Sequence, residues 1–364
     1  MTAAPEGVEL LTNPPYPPGA QIAVETTTAP AVKTGKPPAA SEPRRRIKAV
    51  HAETVALSTD LDVSTVLQRV GRACVEHLVR NEDAALSGSA EGIHQMRVAV
   101  RRLRAIQSAF GPLLPKRHRR RASAGLRWFA DILGEARNLD VFAETLLEPA
   151  RAALPAASEF ERLARAVAER RKAAQAAVTE AILSPHYTGA VLDLLRWFDA
   201  RGWEAEGETD ELRQPIGVVA PVLLERRRYK AKKRAKHFAK QSAPARHQLR
   251  IALKKLRYTA EALGSLYDPP AVEIFVHRLK KLQDDLGDAN DLQVGRHIVA
   301  ALARSQAEAP SDTEARDGLG AGATGIALAG RRVLAWHRRR LAGNESATAH
   351  QLLQLIETEP FWRT

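Results

Sequence analysis

The sequence has a single cysteine in 364 residues, two methionines, 18 aromatic residues and no long apolar run. A lone Cys74 excludes an intramolecular disulfide framework and any multi-cysteine zinc site, and it fits a reducing compartment. No stretch reaches the roughly 18 apolar residues that span a bilayer, and the first residues lack the basic start and apolar segment of a signal peptide. These absences predict a cytoplasmic chain that does not engage a membrane. Acidic residues are also in deficit. There are 42 of them against 55 Lys and Arg, a net charge of +13, which points to an anionic partner.

The charge is segregated along the chain. Residues 94–104, 115–127, 226–240, 247–257 and 331–340 contain no acidic residue, yet hold 28 of the 55 basic ones. The remaining residues carry 27 basic against 42 acidic, a net of −15. A solvated helix face accounts for one such run. Five of them describe a surface that raises local potential for an anion and repels itself without one.

Residues 1–58 are expected to form a disordered tail, because nine of the 21 prolines fall by Pro43 and few apolar residues accompany them. Beyond the tail the chain reads as helix almost throughout, rich in Ala, Leu, Arg and Glu, with little β-branched alternation. Gly111-Pro112, Leu154-Pro155, Ser184-Pro185, Ala243-Pro244 and Pro269-Pro270 mark helix ends or starts. An all-α protein with helices of about 15 to 30 residues follows.

An internal repeat organises the rest. His94-Gln-Met-Arg-Val-Ala-Val-Arg-Arg-Leu-Arg104 matches His247-Gln-Leu-Arg-Ile-Ala-Leu-Lys-Lys-Leu-Arg257 at six of eleven positions, the other five being like-for-like exchanges. Downstream, Leu133-Gly-Glu-Ala-Arg-Asn-Leu139 matches Leu286-Gly-Asp-Ala-Asn-Asp-Leu292 at the same offset of 153 residues. Two helical modules are therefore expected, at 59–205 and 206–345, with 346–364 as a C-terminal helix or tail.

On a helix of 100° per residue, His94, Arg97, Arg101 and Arg104 share about 80° of arc, with Met96, Val100, Leu103 and Phe110 on the apolar side. His247, Arg250, Lys254 and Arg257 repeat the pattern, while Arg102 and Lys255 point elsewhere. Like charges at i,i+3 and i,i+4 destabilise a helix by a few tenths of a kcal/mol per pair, so a twice-kept stripe needs a partner. That partner is either internal (Asp131, Glu135, Asp140 and Asp284, Asp288, Asp291 are available) or a bound anion. Arg226, Lys230, Lys233 and His237 form a further stripe within about 60°. Arginine forks grip phosphate oxygens in pairs and lysines serve as mobile point charges.

These helices resemble those of the CHAD family (conserved histidine α-helical domain), through the doubled His-Gln-x-Arg helix and the Leu-Gly element after each. The resemblance covers roughly residues 60–345. It implies two tandem pseudo-symmetric four-helix bundles around a central basic channel that binds inorganic polyphosphate. His94, Arg97, Arg101 and Arg104 would line the channel opposite His247, Arg250, Lys254 and Arg257. Some members of the family carry a fused triphosphate-tunnel hydrolase domain, but no Glu-x-Glu-x-Lys signature appears here, so a stand-alone, non-catalytic module associated with polyphosphate granules is expected. Asn138 and Gln293 stand where acidic residues are expected.

Other motifs carry less. Gly320-Ala-Gly322-Ala-Thr-Gly325 spells a dinucleotide fingerprint, but no strand precedes it, and a flexible linker is expected there. Asp284-Asp-Leu-Gly-Asp288 could hold magnesium and a diphosphate, yet the first copy lacks the pattern. Cys74 and His77 at i,i+3 read as core residues. No metal cluster, cofactor motif or nucleophile is visible, so catalysis on polyphosphate or a diphosphate ranks below binding. Nucleic acid is the alternative polyanion. Against it, few aromatics accompany the basic stripes, Tyr229 and Tyr258 being the exceptions.

Overall fold

A computed structural model describes residues 47–115, 126–155, 157–205, 210–308, 316–341 and 344–363, all within one compact unit. The sequence-predicted tail up to residue 46 and most of the basic run 115–127 lie outside the described residues. The described chain is helical: α1 (Val63–Val79), α2 (Glu82–Leu86), α3 (Ala90–Phe110), α4 (Arg127–Val141), α5 (Glu148–Ala153), α6 (Ser158–Leu183), α7 (Pro185–Asp199), α8 (Asp210–Arg213), α9 (Ile216–Ala235), α10 (Ala243–Leu263), α11 (Pro269–Glu308), α12 (Arg316–Leu341) and α13 (Asn344–Glu357). The punctuation read from the sequence sets these bounds. Pro185, Pro244 and Pro270 sit in first turns, where a missing N–H costs nothing. Asp62 and Ser89 cap α1 and α3 through the amides of Thr65 and Gly92.

The repeat governs the architecture. α1 and α9 begin 153 residues apart, α3 and α10 begin and end at that offset, and so do the 3₁₀ turns Gly111–Leu113 and Gly264–Leu266. An antiparallel bridge joins Asp62 to Pro215, again equivalent positions. The Val63 amide donates to the Gln214 carbonyl at 3.0 Å and the Ile216 amide to the Leu61 carbonyl at 2.7 Å. A reciprocal exchange between equivalents is the signature of a local two-fold. α3 packs directly against α10, so the axis passes between the two repeated helices.

The hydrophobic interior is not divided where the chain is. One core takes α1, α3, α4, the second half of α6, α7, α9, α10, the first half of α11 and the C-terminal Phe361 and Trp362. The other joins Phe142, Leu146, Phe160 and Leu163 of the first copy to Leu292, Val299, Ile326 and Val333 of the second. Each copy thus contributes to both cores. α11 runs 40 residues, longer than the sequence suggests, because nothing after Pro270 breaks its pattern.

Three expectations need correction. The glycine-rich stretch 320–325 is not a linker but part of α12. Its helix packs closely: a Cβ on Gly330 would stand 2.3 Å from Val299. Residues 47–58 are not tail; they form a strap laid along the body. The Val50 amide donates to Asn81 Oδ1 at 2.9 Å, its carbonyl accepts from Asn81 and from His77 Nε2, and Ser265 Oγ donates to the Val55 carbonyl at 2.7 Å. Finally, α9 stops at Ala235 rather than continuing to residue 240, with His237 at φ 57° beyond it.

The close packing generates a contrast in stability. A Cβ on Gly71 would lie 2.0 Å from the Phe198 ring, which is fully buried. Gly71→Ala should therefore destabilise by about 1–3 kcal/mol through overpacking. Gly189, in α7, has nothing within 4 Å, and Gly189→Ala should gain about 0.5–1 kcal/mol. Urea midpoints of the two variants would check both signs.

Candidate functional site

The repeated helices place their apolar rows in the core. Met96, Val100, Leu103 and Phe110 of α3, and Leu249, Leu253 and Leu256 of α10, are buried. This fixes the opposite arc of each helix, and the two-fold turns these arcs toward one another. Arg97, Arg101, Arg250 and Lys254 form one half-buried cluster, with exposed Arg104 and half-buried Arg257 beside it.

The cluster is under electrostatic strain. Burial, reinforced by Arg101, Arg137 and Arg250, pushes the Arg97 guanidinium down to about 9. Burial and then Arg101, Arg250, Arg97 and Arg257 push Lys254 down to about 6. Burial also lowers Arg250, partly offset by the more distant Asp291 and Asp284. A lysine can shed its proton to escape such a setting, whereas arginine stays charged. Near neutral pH the unliganded cluster therefore holds three arginines around a largely uncharged Lys254.

Internal neutralisation is not what the ion pairs describe. Among the described residues no carboxylate lies within ion-pair distance of Arg97, Arg101, Arg104, Arg250 or Lys254. Glu135 pairs instead with Arg170 of α6, and Asp140 with Arg171 at 2.7 Å. Arg257 alone in the stripes has a carboxylate, Glu261 at 3.3 Å, and it stacks 4.5 Å above the Tyr258 ring.

Two cavities flank the cluster. One, of about 850 Å³, is walled by Arg97, Arg101 and Arg104 and by Asp131, Gly134, Glu135 and Asn138 of α4, with His297 of α11 also lining it. The other, of about 870 Å³, is bounded by His247, Arg250, Arg246 and Arg338 together with Asp285 and Asp288. The Leu-Gly elements face the stripes: a Cβ on Gly287 would come within 2.8 Å of the Arg250 guanidinium, while the space above Gly134 is open. The repeated glycine thus leaves room beside the repeated arginine.

The two histidines differ. His94 is half-buried, its Nδ1 has no partner, and burial and then Arg137 lower its pKa, with Arg101 and Arg97 adding to this. His247 is exposed and contacts Asn290 Oδ1 at 3.2 Å through Nδ1. Asn290 is the equivalent of Arg137, a cation that the helix wheels did not nominate because it lies on the following helix.

The α9 stripe does not join this cluster. Arg226 borders a small apolar groove beside Trp362, Lys233 lines a charged groove with Tyr229, Lys236, Glu225 and Glu357, and His237 lies past the helix end. Lys230 stands instead among Arg226, Arg227 and Arg234. Arg102 is buried among Cys74 and His77, and burial lifts the Cys74 thiol to about 11, so it stays protonated and inert. Among the described residues no group of three metal-ligating side chains converges, and no helix is long and apolar enough to cross a membrane.

Comparison with known proteins agrees with this geometry. The family model of the CHAD domain matches residues 69–300. The crystal structure of the CHAD domain from the plant Ricinus communis superposes with a TM-score of 0.68 at 26% identity, covering 84% of this chain and 96% of that one. PptA from Streptomyces chartreusis shares the fold at a TM-score of 0.52 and 17% identity, over 82% of this chain and 100% of that one. A search of curated proteins returns no match. With its doubled basic helix inside the matched span, this chain belongs to the CHAD domain family.

Proposed function

We propose that this protein is a non-catalytic binder of inorganic polyphosphate, held in the cell at polyphosphate granules in the cytoplasm. The observation that carries the reading is the cluster of Arg97, Arg101, Arg250 and Lys254, brought together by the two-fold and lacking ion pairs among the described residues. Burying like charges without partners is costly, and a string of phosphates is the ligand that turns this cost into affinity. The path runs from the cavity beside Arg104, across the cluster, into the cavity beside His247, between two tandem helical halves that form a basic channel.

Nucleic acid fits less well. Tyr258 is buried beneath Arg257, out of reach of a base, and exposed Tyr229 lies on α9 away from the cluster. Titration with long-chain polyphosphate, orthophosphate, single-stranded DNA and duplex DNA near physiological salt should give tight binding to polyphosphate alone. Equal affinity for DNA would overturn the reading.

Replacing Arg97, Arg101, Arg250 and Lys254 together by Ala should reduce polyphosphate affinity at least a hundredfold, while thermal stability holds or rises as repulsion is relieved. A marked fall in melting temperature would instead assign the cluster a structural role.

Binding should also take up protons. Free Lys254, at about 6, is mostly neutral at pH 7.5, and an adjacent polyanion raises its pKa. Affinity should therefore strengthen as pH falls from about 9 to 7. In the free protein the sign is opposite, because the unfolded lysine holds its proton up to about 10.4. The unfolded state then binds more protons between these values, and stability rises with pH. Calorimetry in buffers of different ionisation enthalpy would read the uptake, which Lys254→Met should remove.

A further inference from the structure

The repeat can be laid over itself residue by residue, and one place breaks the match. In the first copy, Cys74 and His77 of α1 gather around Arg102 of α3, all three buried. The strap covers them, with the Val50 carbonyl accepting from His77 Nε2 at 3.0 Å. At the offset of 153 residues the same three positions are Arg227 and Lys230 of α9 and Lys255 of α10. One cation in the first copy has become three in the second.

Their setting is unusual. Arg227 is only 4% exposed and sits in the core-facing row of α9, between Leu223 and Ala231. Among the described residues it has no hydrogen-bond or ion-pair partner, and burial followed by neighbouring Arg226 brings it down to about 10. Lys255 is half-buried, lowered by burial and then by Arg227, Lys230, Arg104 and Arg234. No acidic residue contributes at either group. Small residues, Ala231 and Ala235, follow Arg227 on the buried row of α9. Arg104 belongs to both places, since it also walls the 850 Å³ cavity.

We infer that Arg227, Lys230 and Lys255, with Arg104 at the shared edge, form a second phosphate-binding station, outside the repeated stripes and present in one half of the molecule only. The ligand chemistry is a phosphate oxyanion. It is either a free short phosphate or a segment of a longer chain leaving the central cluster over Arg104; only this last source rests on the polyphosphate reading. Arg227, 4% exposed and without an ion-pair partner among the described residues, and half-buried Lys255 beside it are the two donors, and exposed Lys230 is the mouth.

The test uses the full chain, inorganic triphosphate and long-chain polyphosphate, each titrated over a salt series. Arg227→Met/Lys255→Met should weaken triphosphate binding at least tenfold, or lower the slope of log affinity against log salt for the long chain by about two, one per lost contact. Loss with triphosphate assigns the station to a free small anion; loss of slope alone assigns it to a segment of the long chain. If Arg227→Met does not fold, Lys255→Met and Lys230→Met singly should each give part of the same loss. Unchanged affinity and slope in every variant that folds would overturn the proposal and leave the polyphosphate reading intact. Conversely, triphosphate binding that depends on Arg227 and Lys255, in a protein that ignores long chains, would retain the station and remove that reading.

Discussion

The fold sets a row of like charges against its own copy. α3 and α10 are equivalent helices packed across a local two-fold, so any cation on the facing arc of one meets its counterpart on the other. Like charges repel more strongly as they leave water, and here burial and the neighbouring arginines push Lys254 down to about 6. Everything that holds the helices together must come from elsewhere. It comes from the rows behind the stripes, where Met96, Ile106, Leu249 and Leu263 are essentially without solvent exposure, and from a second core built jointly by both copies. The site is a loaded element, and the cores carry the load.

The distribution of carboxylates makes the same point. The first copy holds Glu135 and Asp140 on α4 and Glu144 just past its end, yet these pair with Arg170 and Arg171 on α6. The exposed Glu135–Arg170 pair contributes about 0–1 kcal/mol, whereas Asp140 is buried where it meets Arg171. Glu135 lines the same cavity as Arg97 and Arg101 but forms its ion pair with Arg170. The glycines of the Leu-Gly elements act in parallel: Gly287 lets the Arg250 guanidinium lie against α11, and Gly134 leaves the first cavity open.

Much of this was legible in the sequence because it depends on spacing within one helix. The offset of 153 residues fixes equivalent elements, prolines fix first turns, and a wheel separates Arg97 and Arg101 from Met96 and Val100. What escaped depends on neighbours. A wheel treats Arg227 as one cation among nine in its run, and only the packing of α9 on α10 turns it inward. His237 looked continuous with Lys233 until the backbone turned left-handed. The glycines at 320–325 suggested a linker because glycine weakens a helix by about 1 kcal/mol, yet the stretch is helical and Gly325 lies against Arg162 of α6. The strap is held by side chains of Asn81, His77 and Ser265, none adjacent in sequence, so tail composition gave no hint of its docking.

The symmetry itself discriminates among polyanions. A linear polyphosphate reads the same from either end, so a two-fold pair of stripes meets it identically in both directions. A single nucleic-acid strand has a polarity, and two equivalent helices would contact its two halves in opposite sense. Duplex DNA does have two-folds, but half-buried groups between packed helices cannot reach into its grooves. One departure from symmetry lies within the central cluster, Lys254 opposite Arg101; the others lie around it, with Asn290 opposite Arg137, Tyr258 opposite Ala105, and three cations of the second half opposite Cys74, His77 and Arg102. A centre that keeps a basic side chain at each equivalent position suits a ligand without direction. If the proposed polyphosphate binding holds, an asymmetric edge gives one end at which a chain is held more strongly than at the other.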